Sequence, residues 1–381
     1  MISADEKNIR QKLNPNRVVI KIGTRILDSD KVVFNTTRIK SIVSEIAQLH
    51  NAGKEVLIVS SGAVGAGMRE LNMDRRPQNI PELQALAAIG QGRLMHMYNQ
   101  EFAKYNIKVA QLLLSRADVN DRRRYLNIRY TLLELLKFKV IPIINENDTV
   151  TIEELKFGDN DNLSALIASK IDADLLIIMT DVDGLYSCDP KKVKDAKCIP
   201  VVEKITDEIK GMAKGVQAEL TVGGMITKIS AADIATKSGI YTVIANGLKE
   251  QTITKIMSGE EVGTLFLPVK SKKMSMKKRY LLLSKVMLNK KIVVDDGAKN
   301  ALIKNNKSLL PIGVVDVVGE FLRGAIVEIV DKDNNVIGKG LVNYSSEEIK
   351  KIKRKKTAEI TGILGSKPYD EVIHKDNLVL S

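Results

Sequence analysis

Short, dense apolar runs alternate with helical patterns through the first 269 residues, and this feature limits the possible folds most. The runs are rich in Val, Ile and Leu without polar alternation, which is typical of strands buried on both faces. Such alternation predicts an α/β fold, a mostly parallel sheet covered by helices on both sides. The predicted strands cover residues 18–22, 56–59, 109–114, 140–144, 175–179 and 241–245. The predicted helices cover residues 36–50, 81–102, 125–138, 163–171 and 225–238.

A lysine-rich stretch without glycine, residues 269–284, separates this region from a β-rich remainder. We predict strands there at residues 291–294, 313–318, 325–330 and 336–342. Ser345 and Glu348 form a capping-box pattern for a short basic helix over residues 347–356. The length of 381 residues fits two domains. We therefore predict an α/β domain over residues 1–268, a linker over 269–288 and a small β-rich domain over 289–381.

The net charge of +13 is concentrated in the C-terminal region. Residues 270–381 contain 23 Lys or Arg against 13 Asp or Glu, whereas the preceding residues contain 36 against 33. A basic appended domain leaves RNA open as a partner. The alternative, which is the more common one, is that surface lysines keep the protein in solution.

The composition also bears on the compartment and on metals. No apolar run approaches the ~18 residues that cross a bilayer, and the charged N-terminus lacks a signal-peptide core. We therefore expect a cytoplasmic protein with no membrane partner. Cys188 and Cys198 match no zinc pattern and the three histidines are scattered, so we expect no metal site fixed by the protein alone.

Unusual residues follow the first two predicted strands, and ligands bind at the carboxyl ends of strands in such sheets. The first ends at Lys21 and Gly23. A buried lysine needs an anionic partner, and a glycine lets backbone N–H groups approach a phosphate; the alternative is an edge lysine that faces water. The second ends at Ser60-Ser61-Gly62, followed by Gly65 and Gly67, and this predicts an anion cradle at a helix start. Neither the dinucleotide fingerprint nor the P-loop pattern is present.

Carboxamides and carboxylates follow the fourth predicted strand, in Asn145-Glu146-Asn147-Asp148 and again around Asp159-Asn160-Asp161. They are suited to hold an ammonium group, to ligate Mg²⁺ through water or to orient lysines. The next strand ends at Thr180-Asp181, and a second glycine-rich segment, residues 222–228, ends at Lys228. Two lysines, two glycine cradles and a carboxylate cluster at strand ends indicate a phosphoryl-transfer site.

These segments, taken in order, resemble the bacterial glutamate 5-kinases of the amino acid kinase family. The matching strings are K-I-G-T, S-S-G-A-V-G-A-G, N-E-N-D, G-D-N-D-N-L-S-A, T-D-x-x-G-L-Y-x-x-D-P and G-G-M-x-T-K, over residues 17 to 268. The C-terminal strings VVDDGAKNAL, KSLLPIG and RGAIVEI resemble the PUA domain that many of these enzymes carry. The resemblance implies an αβα sandwich with a mostly parallel open sheet, followed by a PUA-like domain. It also implies transfer of the γ-phosphoryl group of ATP to the side-chain carboxylate of L-glutamate, the first step of proline biosynthesis.

The resemblance also assigns roles to residues. Lys21 and Lys228 would contact the ATP phosphates, and Asp161 would hold both lysines in position. The residues implied for glutamate are Ser61, Gly62, Asn145, Asp148 and Asn160. The residues implied for the nucleotide are Lys21, Gly23, Thr180, Asp181, Val222, Gly223, Gly224, Met225, Ile226, Thr227 and Lys228. Three positions depart from the family: Arg25 replaces the usual Ser or Thr, and Val222 and Ile226 replace hydroxyl residues, so two hydroxyl contacts to the nucleotide are lost.

The implied chemistry agrees with the residue types. A carboxylate nucleophile is ionised at pH 7, so no general base is needed, and no histidine occurs in any motif. ATP and Mg²⁺ are the implied cofactors, and the resemblance further implies a homo-oligomer and feedback inhibition by proline. One alternative is another carboxylate or carbamate kinase of this fold, such as acetylglutamate or aspartate kinase; the N-E-N-D string and the PUA-like domain argue against it. The other is an RNA-binding regulatory protein with a kinase-like body, against which intact Lys21, Lys228 and Asp161 argue.

Overall fold

A computed structural model of the chain describes residues 9–27, 36–115, 118, 122–150, 160–188, 190, 193, 195–215, 224–269, 289–305 and 307–380. The chain divides into two compact units, Met1–Lys273 and Met274–Ser381. The predicted linker over residues 269–288 lies almost entirely outside the described residues. The domain bounds derived from the sequence therefore stay a prediction.

The first unit contains an eight-stranded sheet. Its strands are β1 (Arg17–Ile22), β2 (Glu55–Ser60), β3 (Val109–Leu114), β4 (Ile141–Glu146), β5 (Leu175–Thr180), β6 (Val201–Val202), β7 (Tyr241–Asn246) and β8 (Thr264–Phe266). The strand order is β3-β4-β2-β1-β5-β7-β8-β6, and every pair is parallel except β7–β8. The predicted mostly parallel α/β sheet is confirmed. The six predicted strands are all present, whereas β6 and β8 are too short to be recognised from an apolar run.

Helices cover both faces of this sheet. They are α1 (Thr24–Leu27), α2 (Thr36–Asn51), α3 (Ala63–Glu70), α4 (Ile80–Ala103), α5 (Arg122–Lys137), α6 (Asn160–Lys170), α7 (Asp207–Gly215), α8 (Met225–Lys237) and α9 (Thr252–Met257). Successive residues of β1 face opposite sides. Val18 and Ile20 pack in the apolar layer that contains Ile42 of α2, whereas Val19 packs in the layer that contains Ile167 of α6. This alternation produces the three-layer αβα arrangement.

The second unit contains a five-stranded sheet with the order β10-β9-β11-β12-β13. Its elements are β9 (Lys291–Val294), α10 (Asp296–Asn305), β10 (Val314–Val318), β11 (Ile326–Val330), β12 (Val336–Leu341), α11 (Ser346–Ile352), α12 (Ile360–Leu364) and β13 (Leu378–Leu380). Strands β9 and β11 are parallel and the other pairs are antiparallel. The β-rich character predicted for this region is confirmed. In the described part of the chain, no helix combines the length and the apolar character that a membrane span requires.

The capping box predicted for α11 is present. The Ser345 hydroxyl accepts a hydrogen bond from the Glu348 backbone N–H at 3.3 Å, and the Glu348 carboxylate accepts one from the Ser345 N–H at 2.6 Å. The predicted end of this helix at residue 356 is wrong, because the helix ends at Ile352. Lys353 is extended and Arg354 has a positive φ of 62°, so the backbone leaves the helical region there.

Candidate active site

The carboxyl ends of four neighbouring strands bring the predicted site residues to one edge of the sheet. Strands β4, β2, β1 and β5 are adjacent and parallel, and Lys21 of β1 is in register with Val59 of β2 and Ile178 of β5. Asn145 lies at the end of β4, and Thr180 ends β5. Side chains separated by more than a hundred positions in sequence therefore meet at this edge.

Asp161 lies between the two predicted lysines. It belongs to the first turn of α6 and is completely buried. Its Oδ1 lies 2.7 Å from Lys21 Nζ, and its Oδ2 lies 3.3 Å from Lys228 Nζ. Thr227 donates a hydrogen bond from its hydroxyl to Asp161 Oδ2 at 2.6 Å. A strand, a helix N-terminus and the start of α8 are thus connected through one carboxylate.

Opposing effects set the pKa values of the groups in this cluster. Burial alone would raise the pKa of the Asp161 carboxyl, but Lys21, Lys228 and the Thr227 hydroxyl outweigh it and lower that pKa to about 2. Burial lowers the pKa of the Lys228 ammonium, and Asp161 opposes that effect. Each lysine is only 6% exposed. Asp161 thus holds two buried ammonium groups together, and two such cations are suited to bind an anionic ligand.

Two of the predicted nucleotide glycines differ in the space beside them. A Cβ at Gly23 would lie 3.2 Å from the Met179 carbonyl oxygen and 3.5 Å from Lys21 Nζ, so a side chain there would crowd the ammonium group. Gly224 precedes the first turn of α8, and a Cβ there would meet no atom within 4 Å among those described. Met225 is buried and Ile226 is 51% exposed. Val222 and Gly223 lie outside the described residues.

Gly62 and Gly67 serve different purposes, although both belong to the segment interpreted as an anion cradle. Gly62 precedes α3 with a left-handed φ of 103°, which glycine adopts without strain. A Cβ at Gly67 would lie 2.0 Å from the Leu86 carbonyl oxygen, so Gly67 is required for the close packing of α3 against α4. Gly67 therefore has a packing role, and the anion cradle stays a prediction.

A buried network of amides connects three of the predicted glutamate residues. Asn160 Nδ2 lies 2.9 Å from Ser61 Oγ, 2.9 Å from Asn145 Oδ1 and 3.1 Å from the Ser60 carbonyl oxygen. Asn145 in turn donates a hydrogen bond from Nδ2 to Gln91 Oε1 at 2.8 Å. Asp148 follows β4 and is close enough to Arg76 to oppose the lowering of the Arg76 pKa that burial causes. The structure thus brings Ser61, Asn145 and Asn160 together, and adds Gln91.

Gln91 was missed by the sequence reasoning. It lies in the middle of α4 and belongs to no motif. The sequence offered one signal, a polar residue in the predicted helix over residues 81–102 whose neighbours one turn away, Ala87 and Leu94, are apolar. In the structure both neighbours are buried.

Arg25 contacts a residue that was predicted to bind the nucleotide. It forms an ion pair with Asp181, directly after β5, and the Thr180 hydroxyl donates a hydrogen bond to Asp181 at 3.2 Å. Burial would raise the pKa of the Asp181 carboxyl, but the hydrogen bond and charge of Arg25 outweigh it and lower that pKa. The departure from the family pattern at Arg25 therefore affects a residue predicted to contact the nucleotide.

The described residues do not form a metal site of their own. In that part of the chain, no group of three or more His, Cys, Asp or Glu side chains is placed to hold a metal ion. Asp161 already pairs with Lys21 and Lys228 and accepts a hydrogen bond from Thr227.

Known sequences and structures include several that resemble this chain. The sequence model of the amino acid kinase family matches residues 16–246, and that of the PUA domain matches residues 290–364. A glutamate 5-kinase from Caldanaerobacter subterraneus subsp. tengcongensis is 51% identical over 96% of this chain and 97% of its own length. The glutamate 5-kinase of Moorella thermoacetica is 48% identical over 96% of each chain. A solved UMP kinase from Bacillus anthracis aligns with a TM-score of 0.46 at 21% identity, covering 68% of this chain and 99% of that one.

Proposed function

The chain belongs to the amino acid kinase family and, within it, to the glutamate 5-kinases, and on that premise we propose the reaction it catalyses. It is an ATP-dependent phosphotransferase with a carboxyl acceptor. It transfers the γ-phosphoryl group of ATP to the side-chain carboxylate of L-glutamate, giving L-glutamyl 5-phosphate and ADP, the first step of proline biosynthesis. The observation that supports it most is the buried Asp161 between Lys21 and Lys228, next in sequence to the amide network of Asn160.

The reaction needs no proton to be removed. A side-chain carboxylate oxygen of glutamate attacks the γ-phosphorus of ATP and forms a new P–O bond. The bond from the γ-phosphorus to the oxygen that bridges to the β-phosphate breaks, and ADP leaves with its electron pair. Because the glutamate carboxylate is ionised at pH 7, the barrier to overcome is repulsion between two anions and charge build-up on the leaving oxygen.

We assign Lys21 and Lys228 to the phosphates of ATP, with Asp161 as the residue that positions both. Two cations in a buried site lower the barrier because they are aligned before the reaction begins. Gly23, Thr180, Asp181 and the segment over residues 222–228 would line the rest of the nucleotide site. This assignment is supported by Gly23, where a side chain would crowd the Lys21 ammonium group, and by the space next to Gly224 among the described residues.

The opposite side of the lysine pair is assigned to glutamate. Ser61, Gly62, Asn145, Asp148 and Asn160 would bind the amino acid and hold its side-chain carboxylate toward the γ-phosphate. The hydrogen bonds that join Asn160 to Ser61 and Asn145 support this assignment, because such a network fixes the direction of each polar group.

Mg²⁺ would enter with ATP. The described residues supply no ready metal site, and Mg²⁺ is commonly held by substrate phosphates and water with few protein ligands. When bound, it would neutralise charge on the phosphates. The residues of this chain would then orient the triphosphate through the two lysines.

Other properties stay predictions from the sequence: a homo-oligomer, feedback inhibition by proline, a cytoplasmic location, the domain bounds at residues 268 and 289, and RNA as a potential partner of the basic second unit. The rival function, an RNA-binding regulatory protein with a kinase-like body, makes a different prediction for the purified protein. It expects no consumption of ATP with glutamate when RNA is absent, whereas the kinase needs no RNA.

The test of the proposed function is ATP turnover by the RNA-free protein with Mg²⁺ and a panel of acids. L-glutamate, L-aspartate, N-acetyl-L-glutamate and carbamate distinguish the kinases of this fold. We expect ADP formation that depends on L-glutamate. Turnover that depends on another acid, or none with any acid, would contradict the proposal.

A further inference from the structure

Gln91 carries a buried polar group that the assigned roles do not use. It lies in the middle of α4 (Ile80–Ala103), and its side chain is only 8% exposed. Its Oε1 accepts the hydrogen bond from Asn145 Nδ2 at 2.8 Å. Its Nε2 is buried and makes no hydrogen bond with the described residues. A buried donor without a partner is unfavourable, so this amide is suited to bind an acceptor on a ligand.

The orientation of this amide is fixed by the backbone. Asn145 Oδ1 lies 2.9 Å from the backbone N of Glu146, and a main-chain N–H can only donate. The atom of Asn145 at that contact must therefore be its oxygen, so its amide nitrogen faces Gln91. Gln91 must accept with its oxygen, and its NH₂ group is left as the unused donor.

The same reasoning identifies an unused acceptor. Asn160 Nδ2 lies 3.1 Å from the Ser60 carbonyl oxygen, which can only accept. Asn160 Oδ1 is therefore the remaining atom, and it too is buried without a partner among the described residues. The network thus ends in one free donor, on Gln91, and one free acceptor, on Asn160. An amino acid has the complementary groups, a carboxylate and an ammonium.

We propose that Gln91 is a specificity-determining residue that donates from Nε2 to the α-carboxylate of the glutamate substrate, while Asn160 Oδ1 accepts from its ammonium group. This inference rests on the proposed function. The reacting side-chain carboxylate must lie near Lys21 and Lys228. Asn160 is adjacent in sequence to Asp161, whereas Gln91 is connected to Asn160 only through Asn145. Gln91 therefore binds the end of glutamate that does not react.

Two substitutions separate this role from a structural one. Gln91→Glu keeps an oxygen that accepts from Asn145 and replaces the NH₂ donor by a second oxygen. Gln91→Met retains the approximate volume without either polar atom. Gln100→Met, an exposed position on the same helix, is the matched control. The readouts are glutamate affinity by titration calorimetry, the KM values for glutamate and ATP, kcat, and thermal melting of the full-length protein.

The expected result is a glutamate Kd and KM at least about 30-fold higher in both Gln91 variants, with the KM for ATP within about twofold of wild type. The loss in Gln91→Glu should shrink as the pH is lowered, because a protonated carboxyl regains a donor. The probe 4-aminobutyrate is glutamate without its α-carboxylate. Its weak binding to the wild type should be unchanged in Gln91→Met.

Three results would overturn the proposal. The first is glutamate affinity within about threefold of wild type in the folded variants. The second is equal weakening of glutamate and 4-aminobutyrate, and the third is loss of cooperative melting in both variants, which would assign Gln91 a structural role. A wild-type protein without glutamate-dependent turnover would instead refute the proposed function, and the two failures are thereby distinguished.

Discussion

The carboxylate of Asp161 lies 2.7 Å from the ammonium group of Lys21, and the two side chains are 0% and 7% exposed. The pair connects β1 to the first turn of α6, and Lys228 completes it from α8 at 3.3 Å. A buried ion pair costs desolvation, which is recovered only when its geometry and hydrogen bonds are good. Asp161 therefore holds in place the two cations that we assign to the phosphates of the nucleotide.

Replacing either lysine should affect the chemical step more than binding. We expect Lys21→Ala and Lys228→Ala to lower kcat by roughly a hundredfold or more with smaller changes in KM, because charge develops on the phosphates in the transition state. Steady-state kinetics measures this, and Lys237→Ala, an exposed lysine of α8, is the control. Near-normal turnover in folded variants would show that the two lysines do not take part in phosphoryl transfer.

Substitutions in the proposed glutamate site should change the KM for glutamate and not the KM for ATP. Asp148→Asn and Asn160→Asp should raise the KM for glutamate and leave the KM for ATP nearly unchanged, because both residues are assigned to the amino acid side of the lysine pair. The comparison requires both constants from the same preparations. Equal damage to both substrates would remove the distinction between the two sides.

Arg25 should influence the nucleotide through Asp181. Arg25→Ser releases the Asp181 carboxylate from its cation, and this leaves a negative charge near the phosphates. We expect the KM for ATP to rise several-fold and the KM for glutamate to stay the same. Arg93→Ser is a matched control, since its side chain is 55% exposed against 51% for Arg25 and pairs with Glu70. An unchanged KM for ATP would show that Arg25 forms a surface ion pair without influence on ATP binding.

Lys170 should make stability depend on alkaline pH. Burial lowers the pKa of its ammonium to about 7, whereas the unfolded chain has an ordinary lysine near 10.4. Between these values the unfolded state binds more protons, so the free energy of unfolding should rise with pH across that window. Denaturant titrations at pH 7 and 10 should show wild type gaining stability relative to Lys170→Met. The stability of wild type relative to Lys237→Met should not change with pH in this way. If wild type gained no stability relative to Lys170→Met, the lowered pKa of Lys170 would be contradicted.

The second unit should be dispensable for phosphoryl transfer. The residues assigned to chemistry end at Lys228, and the chain divides into two compact units near residue 273. A protein truncated after Val269 should keep glutamate-dependent turnover within about tenfold, equivalent to ~1.4 kcal/mol of barrier. A cooperative melting curve is the control. A folded but inactive truncated protein would place part of the active site in the second unit.

The strands that carry the site could be predicted from the sequence. Runs such as residues 175–179 are apolar at every position, and that pattern has few explanations other than a strand buried on both faces. Because parallel strands end at one edge, the polar residues after those strands could be expected together. The placement of Lys21 beside Asp161 follows from that geometry.

Contacts between distant parts of the chain were harder to predict from the sequence. Gln91 meets Asn145 because of how α4 packs, and no local pattern encodes that meeting. Gly67 belongs to a glycine-rich segment of the kind that binds phosphate, yet the backbone of Leu86 in α4 packs directly against it. The partner of Arg25 depends on β1 and β5 being neighbours, which the strand order determines and the sequence alone did not.

The origin of one oxygen atom tests most directly whether the side-chain carboxylate of glutamate is the nucleophile. The protein is incubated with MgATP and glutamate labelled with ¹⁸O in its side-chain carboxylate, and the acyl phosphate is trapped with hydroxylamine. Hydroxylamine attacks the carbonyl carbon, so the released phosphate should carry one ¹⁸O atom. Phosphate that carries no oxygen from glutamate would show that water or another group accepts the phosphoryl group, and would contradict the proposed reaction.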